Sequence, residues 1–406
     1  MYRGKTKDYL TMQELKIPNG IPIHLYVDNL ESGAREQAEL CAQLPHAFHH
    51  LALMPDSHQG YAMPVGGVMA MKGAVMPNAV GVDIGCGMVA ARTSIPCKDI
   101  TPKLQQLAQE LLYRIPVGFE WHQKPQSGEV LQRIQGKGKP KHQLSERMPV
   151  IAEHAEEAGF QLGTLGGGNH FIEFQADDED NVWIMLHSGS RNIGLQIANH
   201  YHHIAKQYCA SLGMGLPKDY AFLPLELPEA DQYLDEMHWA MDFAMQNRLH
   251  MLEAVFDTLR DLLGQTVRNT LEVRTHHNYA SWETHLGEKV LVHRKGAVRA
   301  SAGELVTIPG SMGTSSYIGR GKGFTDSFES CSHGAGRLMG RTQAKKQISE
   351  QDFRNQIGEV IVVTPKLNSI LDEAPAAYKD IDNVMRQQCD MVDIVFRLRP
   401  LAVVKG

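Results

Sequence analysis

The sequence is defined first by what it lacks. No stretch approaches the roughly 18 uninterrupted apolar residues that a membrane-spanning helix needs, so no membrane association is expected. The opening MYRGKTKDYL has no apolar core and does not read as a secretory signal. The six cysteines, at 41, 86, 97, 209, 331 and 389, form no CxxC pair. This argues against zinc ribbons and a disulfide framework and fits a reducing, cytoplasmic setting. GxxxxGK[ST], the Rossmann fingerprint and GxSxG are all missing, which leaves little support for a P-loop enzyme, a dinucleotide enzyme or a serine hydrolase. Basic charge is not in excess either. The net charge is −6, so any binding of nucleic acid must rest on a local patch.

What is present is an ordinary globular composition, 43% apolar and 21% charged over 406 residues, enough chain to bury a large core unaided. The length would allow two or three domains, but the chain shows no repeat, low-complexity tract or linker, and one large domain over 1–406 is expected. Helices are predicted at 31–44, 103–114 and 149–158. A long one runs from 231 to 263, its Met, Trp, Phe and Leu spaced for a core-facing stripe. Apolar strand-like runs at 51–54 and 182–186, around LEVRTHHNY, KVLVHRKGAV, ELVTIPGSMG and GEVIVVTP, and in a final pair ending in VVKG, alternate with glycine-rich turns. Without a regular βαβ rhythm this predicts an α+β fold of mixed β-sheets surrounded by helices.

The polar motifs gather at strand ends. Asp56, His187, His277 and Ser311 each follow an apolar run, a placement that lets side chains converge on one face of a rigid sheet. Asp83 and Cys86 stand i, i+3 in GVDIGCG. A thiolate beside a carboxylate is unfavourable unless a cation lies between them, although a buried structural cysteine beside a turn-capping aspartate fits the same residues. His170 in GGGNHFIE, His187 in HSGSR and His277 in HHNY add nitrogen donors. Of the adjacent His276 and His277, only one should enter a given site, because neighbours on an extended chain face opposite ways. Five mixed donors exceed one tetrahedral zinc site and suit two metals sharing the cysteine sulfur. Mn, Fe, Co and Zn all remain open on ligand type.

A second group suits phosphate. His333 is followed by Gly334-Ala335-Gly336, then Arg337, Arg341 and Lys345 recur every four residues. A helix starting near Gly336 would align these cations in one stripe at its N-terminus, an anion site; a solvated helix face reads equally well. Arg191, Lys295, the loop Pro309-Gly310-Ser311-Met312 and the exposed lysines at 137–141 are further candidates.

In combination and in this order, MPDSHQG, GVDIGCGM, GTLGGGNHFIE, HSGSR, HHNY, RKGA, PGSMG, SHGAGR, AYKDID and the terminal KG resemble the RtcB family of RNA ligases over most of the chain. The resemblance implies the family's α+β fold and a GTP- and Mn²⁺-dependent ligase. Such an enzyme joins RNA 3′-phosphate or 2′,3′-cyclic phosphate ends to 5′-hydroxyl ends in RNA repair or tRNA splicing. It implies two Mn²⁺ ions on Asp83, Cys86, His170, His187 and His277, and His333 as the nucleophile that takes GMP. Guanylate contacts would come from Asn169, Phe171, Glu173, Asn278, Pro309, Gly310, Ser311, Met312, Gly334, Ala335, Gly336, Tyr378 and Lys405. Arg191, Lys295, Arg337 and Arg341 would hold phosphates, and Asp56 would orient or activate a reacting group. Ser57, Asn192 and Gly340 depart from the family's usual Val, Gly and Ser without removing a donor. Monomer is the default expectation, and the need for an activating protein is left open. Two rivals remain: a metal-dependent phosphoesterase on the same Asp/Cys/His cluster, and a non-catalytic RNA-binding splicing factor.

Overall fold

The computed structural model describes residues 12–135 and 141–406. Residues 1–11 and most of the lysine-rich loop lie outside them. Two sheets carry the architecture. The first has the order Gln13–Leu15, Ile23–Leu25, Ala47–Tyr61, Met63–Met71, Glu288–Lys295, Asn278–His285. The second runs Asn269–His276, Gly87–Pro96, Asn181–Ser188, Phe171–Ala176, Val392–Val404, Ser316–Gly321, Leu305–Ile308, with Ile361–Val363 added parallel to Val392–Val404. Nearly every other pairing is antiparallel, and helices cover both sheets, giving the expected α+β class. No described helix is long and apolar enough to cross a membrane.

The helix Pro228–Leu263 packs where its stripe predicts. Tyr233, Met237, Ala240, Phe243, Met251, Val255 and Leu259 are all buried, and each large side chain contributes about 1.5–3 kcal/mol by leaving water. Pro228 sits in the first turn and Gly264 ends the helix at φ 65°, the start and stop chemistry a helix favours. The helices at Ser32–Ala42, Leu104–Arg114 and Pro149–Gln161 match the predicted ones within a few residues.

Two expectations need correction. The final pair of strands is one strand, Val392–Val404, whose register shifts between Pro400 and Ala402; the irregularity mimics a turn in the sequence. No helix starts at Gly336. That residue has φ 72°, and a side chain there would collide with the Asp56 backbone, so the chain turns before helix can form. The helix begins at Arg341 and ends at Gln347.

The connection between the sheets positions the site. Asn269–His276 belongs to the second sheet and Asn278–His285 to the first. His277 is the single residue at which the chain crosses over, and its carbonyl accepts from Gly296 N at 2.7 Å and Ala297 N at 3.2 Å. Ala297–Arg299 then pairs with Ser330–Ser332, which delivers His333 to the same cleft.

Candidate active site

A cavity of about 760 Å³ opens in this cleft. Its lining includes Asp83, Cys86, His187, His277, His333, Asn169, Phe171, Glu173, Asn278 and Lys295. Pro309 to Met312, Gly334 to Arg337, Arg341, Tyr378 and Lys405 complete the predicted residues on its wall. Asp56, His170 and Arg191 stand behind the lining and act on it through contacts.

Five donors converge at one end. Cys86 Sγ lies 3.2 Å from His187 Nε2 and 3.4 Å from His170 Nε2. His187 Nε2 lies 3.3 Å from His277 Nε2, and His170 Nε2 is 3.1 Å from Asp83 Oδ2. Two groups of three result, Cys86/His187/His277 and Asp83/Cys86/His170, which share the sulfur; within each, all donor atoms lie within 4.8 Å of one another. His187 Nδ1 donates to the Asn169 carbonyl at 3.0 Å, which leaves Nε2 as a lone pair aimed inward. His276 faces away, its Nδ1 on the Gly85 carbonyl at 2.9 Å. The alternation along the strand is the one predicted.

The electrostatics fit a cation. Burial, then neighbouring imidazoles, hold His187 and His277 well below the usual histidine range, so both offer neutral nitrogens. Burial, then Asp83, push the Cys86 thiol far up. Burial opposes ionisation of Asp83, but the His170 hydrogen bond and charge keep its carboxyl low. Soft sulfur, imidazole nitrogen and carboxylate oxygen packed without intervening donors make a set that a divalent ion completes. The glycines make room for it. A side chain on Gly189 would collide with the Asp83 carboxylate, and one on Gly166 with the His170 ring.

His333 adjoins this cluster, its ring centroid 4.9 Å from that of His277. Its Nδ1 and the Asp56 Oδ2 are 2.6 Å apart, and its backbone N–H donates to the same oxygen at 3.0 Å. The carboxylate thus holds the Nδ1–H tautomer and leaves Nε2 free. Burial alone would raise the Asp56 carboxyl; His333, then Lys379 and His58, bring it below the usual range. Lys379 Nζ donates to the carbonyls of Pro55 at 3.1 Å and Ser57 at 2.6 Å, clamping the backbone on both sides of Asp56.

The opposite end is an ion-pair cluster. Glu373 accepts from Arg337 at 3.1 Å, Arg341 at 2.7 Å, Lys405 at 3.2 Å and Tyr378 Oη at 2.6 Å. Asp372 takes Arg341 at 2.9 Å and Lys345 at 3.5 Å. Arg341 and Lys345 share one face of the helix Arg341–Gln347, but Arg337 stands outside it, and all three cations are engaged by the two buried acids. Lys295 Nζ donates to the carbonyls of Tyr61 and Asn78, and burial lowers its ammonium to about 8. Arg191 donates to the Gly118 carbonyl at 2.6 Å and to Thr164 Oγ1 at 3.0 Å.

Five polar residues of the site escaped the sequence reading: the acids Asp372 and Glu373, the clamp Lys379, and the pair Asn247 and Arg248. Asn247 Oδ1 accepts from Gly163 N and Thr164 N at 2.7 and 3.0 Å. Arg248 donates to the carbonyls of Gly85 and Ser188 at 3.1 and 2.5 Å. Both are fully buried in the long helix and tie together the loops that carry Cys86, His170 and His187. The available signal was an Asn-Arg pair within an otherwise apolar helical stripe.

A cavity with five convergent donors able to hold metal at one end, a carboxylate-bound histidine beside them and clustered arginines opposite has the make-up of an enzyme site. The chain belongs to the RtcB family: the family model described as tRNA-splicing ligase RtcB matches residues 37–406. It is 41% identical to the RNA-splicing ligase RtcB of Escherichia coli strain K12, over 97% of this chain and 99% of that protein. It is 32% identical to the tRNA-splicing ligase RtcB of Thermococcus kodakarensis, over 91% and 90% respectively.

Proposed function

We propose that the chain is an RNA ligase, one cytoplasmic domain over 1–406, that uses GTP and two Mn²⁺ ions to join RNA 3′-phosphate or 2′,3′-cyclic phosphate ends to 5′-hydroxyl ends. The observation that carries this reading is the Asp56–His333 pair at 2.6 Å beside the donor cluster. A 3′-phosphate oxygen is a poor leaving group, so joining it to a hydroxyl requires prior activation by a nucleotide. His333 Nε2 attacks the α-phosphorus of GTP; an N–P bond forms, the bond to the bridging oxygen breaks, and pyrophosphate departs. Asp56 stabilises the positive charge that this places on the ring and keeps Nε2 aimed. The GMP passes to an oxygen of the RNA 3′-phosphate, returning His333 to its neutral form. The RNA 5′-hydroxyl then attacks the activated phosphorus and GMP leaves. A cyclic phosphate end is hydrolysed first.

Two Mn²⁺ ions, held by Asp83/Cys86/His170 and Cys86/His187/His277, would neutralise the phosphates and favour in-line displacement. The protein's own groups do the positioning. Glu173 lines the cavity with Oε1 unpartnered, and burial raises its carboxyl to about 8, so at neutral pH it can donate as well as accept to a guanine edge. Asn169, Phe171, Asn278, Ser311, Tyr378 and Lys405 surround the same volume. Arg337 and Arg341 face the cavity with part of their donor capacity committed to Glu373, and phosphate takes the remainder.

The test is ligation of an RNA bearing a 3′-phosphate with one bearing a 5′-hydroxyl. Joined product that requires both GTP and Mn²⁺ is expected. Release of inorganic phosphate without GTP and without joining would instead establish the phosphoesterase reading.

A further inference from the structure

The loop from Pro116 to His122 carries an exposure that packing does not explain. Phe119 is completely exposed, at 101%, and Trp121 is 43% exposed. An aromatic side chain in water forgoes the burial that usually places it. The loop beneath them is nonetheless fixed. Leu165 N donates to the Pro116 carbonyl at 2.9 Å, Glu120 N to the Val117 carbonyl at 3.1 Å and His122 N to the Phe160 carbonyl at 3.0 Å. Arg191, the residue behind the donor cluster, grips the Gly118 carbonyl at 2.6 Å.

The anchor points adjoin segments that line the cavity. A methyl group on Gly167 would sit 3.7 Å from Gly118 Cα, and one on Gly406 would sit 2.5 Å from Gly118 N. Gly167 is two residues from Asn169, and Gly406 follows Lys405; both of those side chains line the cavity. Phe119 thus follows Gly118, whose backbone packs on Gly167 and Gly406, close in sequence to two cavity-lining residues, and the contact with Arg191 ties the loop to the metal end.

Electrostatics leave a need for such a contact. The net charge is −6, and Arg337, Arg341 and Lys345 at the other end are paired with Asp372 and Glu373. Bulk attraction to phosphates is therefore weak, and affinity for a strand end must draw on contacts other than charge. Unpaired bases stack on exposed aromatic rings, and a ring on a pre-fixed loop loses little freedom on binding. We propose that the 116–122 loop is a base-stacking platform on which Phe119 and Trp121 hold an unpaired base of the RNA at the rim of the active-site cavity. The occupant follows from the RNA-ligase reading above.

The test is equilibrium binding of a fluorescein-labelled single-stranded RNA ten-mer to the full chain, without GTP or metal, for the parent and Phe119→Ala, with ligation by the parent measured on the same preparation. The substitution is fully exposed and leaves the core untouched. Binding about tenfold weaker is expected for F119A, with the loss independent of salt concentration, because stacking releases no counterions. An RNA with one abasic position at the contacted base should bind the parent about as weakly as the intact RNA binds F119A, with little further loss when the two changes are combined. Equal affinity of parent and F119A for the intact RNA overturns the proposal, and the loop would then be sought as a protein-docking surface. If the parent ligates but F119A binds normally, the platform fails and the ligase reading stands. If the parent fails to ligate but F119A still weakens RNA binding, the ligase reading fails and the RNA contact stands.

Discussion

The two ends of the cavity handle charge in opposite ways. At the metal end, Cys86, His187 and His277 bring donor atoms within about van der Waals contact of one another, and the buried Nδ1 atoms of His170 and His277 have no hydrogen-bond partner. At the other end Glu373 is saturated by two arginines, a lysine and a tyrosine. The first end gathers donors that a cation would bridge. The second is internally complete, so an anion there shares cations that already have partners. A site built this way would hold a metal tightly and phosphates reversibly, which suits the proposed ligase.

Breaking the open end has the largest expected effect. Cys86→Ala removes the one atom common to both donor groups, and Mn²⁺ affinity should fall by more than about 100-fold, measured by the electron paramagnetic resonance of free Mn²⁺. In the parent, burial and Asp83 hold the thiol protonated. Metal entry must therefore expel a proton, and affinity should weaken as pH falls. Retention of parental affinity in C86A would show that the sulfur is not a ligand.

Breaking the closed end costs stability. Glu373→Gln leaves Lys405 and the arginines facing a neutral group, and a loss of about 3–5 kcal/mol is expected in denaturant unfolding at neutral pH. Burial works against the Glu373 carboxylate, but Lys405, then Arg341, Tyr378 and Arg337, lower it to about 2. Its contribution is complete above the ordinary glutamate range and disappears as pH falls through about 2. E373Q should therefore differ most from the parent at neutral pH and converge with it in acid.

The smallest effect sharpens the boundary between the two ends. Burial raises Glu173 to about 8, so the folded chain holds a proton there that the unfolded chain gives up in the ordinary carboxylate range. Between those limits its contribution to stability falls with rising pH, by at most about 1.4 kcal/mol per unit. Glu173→Gln should flatten that slope in the protein without ligands. An unchanged slope would show that Lys405 keeps Glu173 ionised.

Much of the donor end was legible in the sequence because every donor sits in a glycine-marked turn or near a strand end. The choice of His277 over His276 needed only the two-residue period of a strand. The long helix declared itself by its apolar spacing. The closed end was not legible. Arg337, Arg341 and Lys345 have helical spacing, yet Gly336 turns the chain at positive φ and the cations pair with acids some 27 to 36 positions away. No local pattern encodes such a pairing. Asn247 and Arg248 were hidden for a related reason: their polar work is done inside a stripe whose other members read as core. The lysines at 137–141 fall largely outside the described residues.

The proposed chemistry turns on the imidazole at position 333, held by Asp56 beside the donor cluster. Incubating the parent and His333→Ala with α-³²P-labelled GTP and Mn²⁺, then denaturing, tests it most directly. An acid-labile label on the parent and none on the variant is expected; equal labelling of the two would remove His333 as the nucleophile.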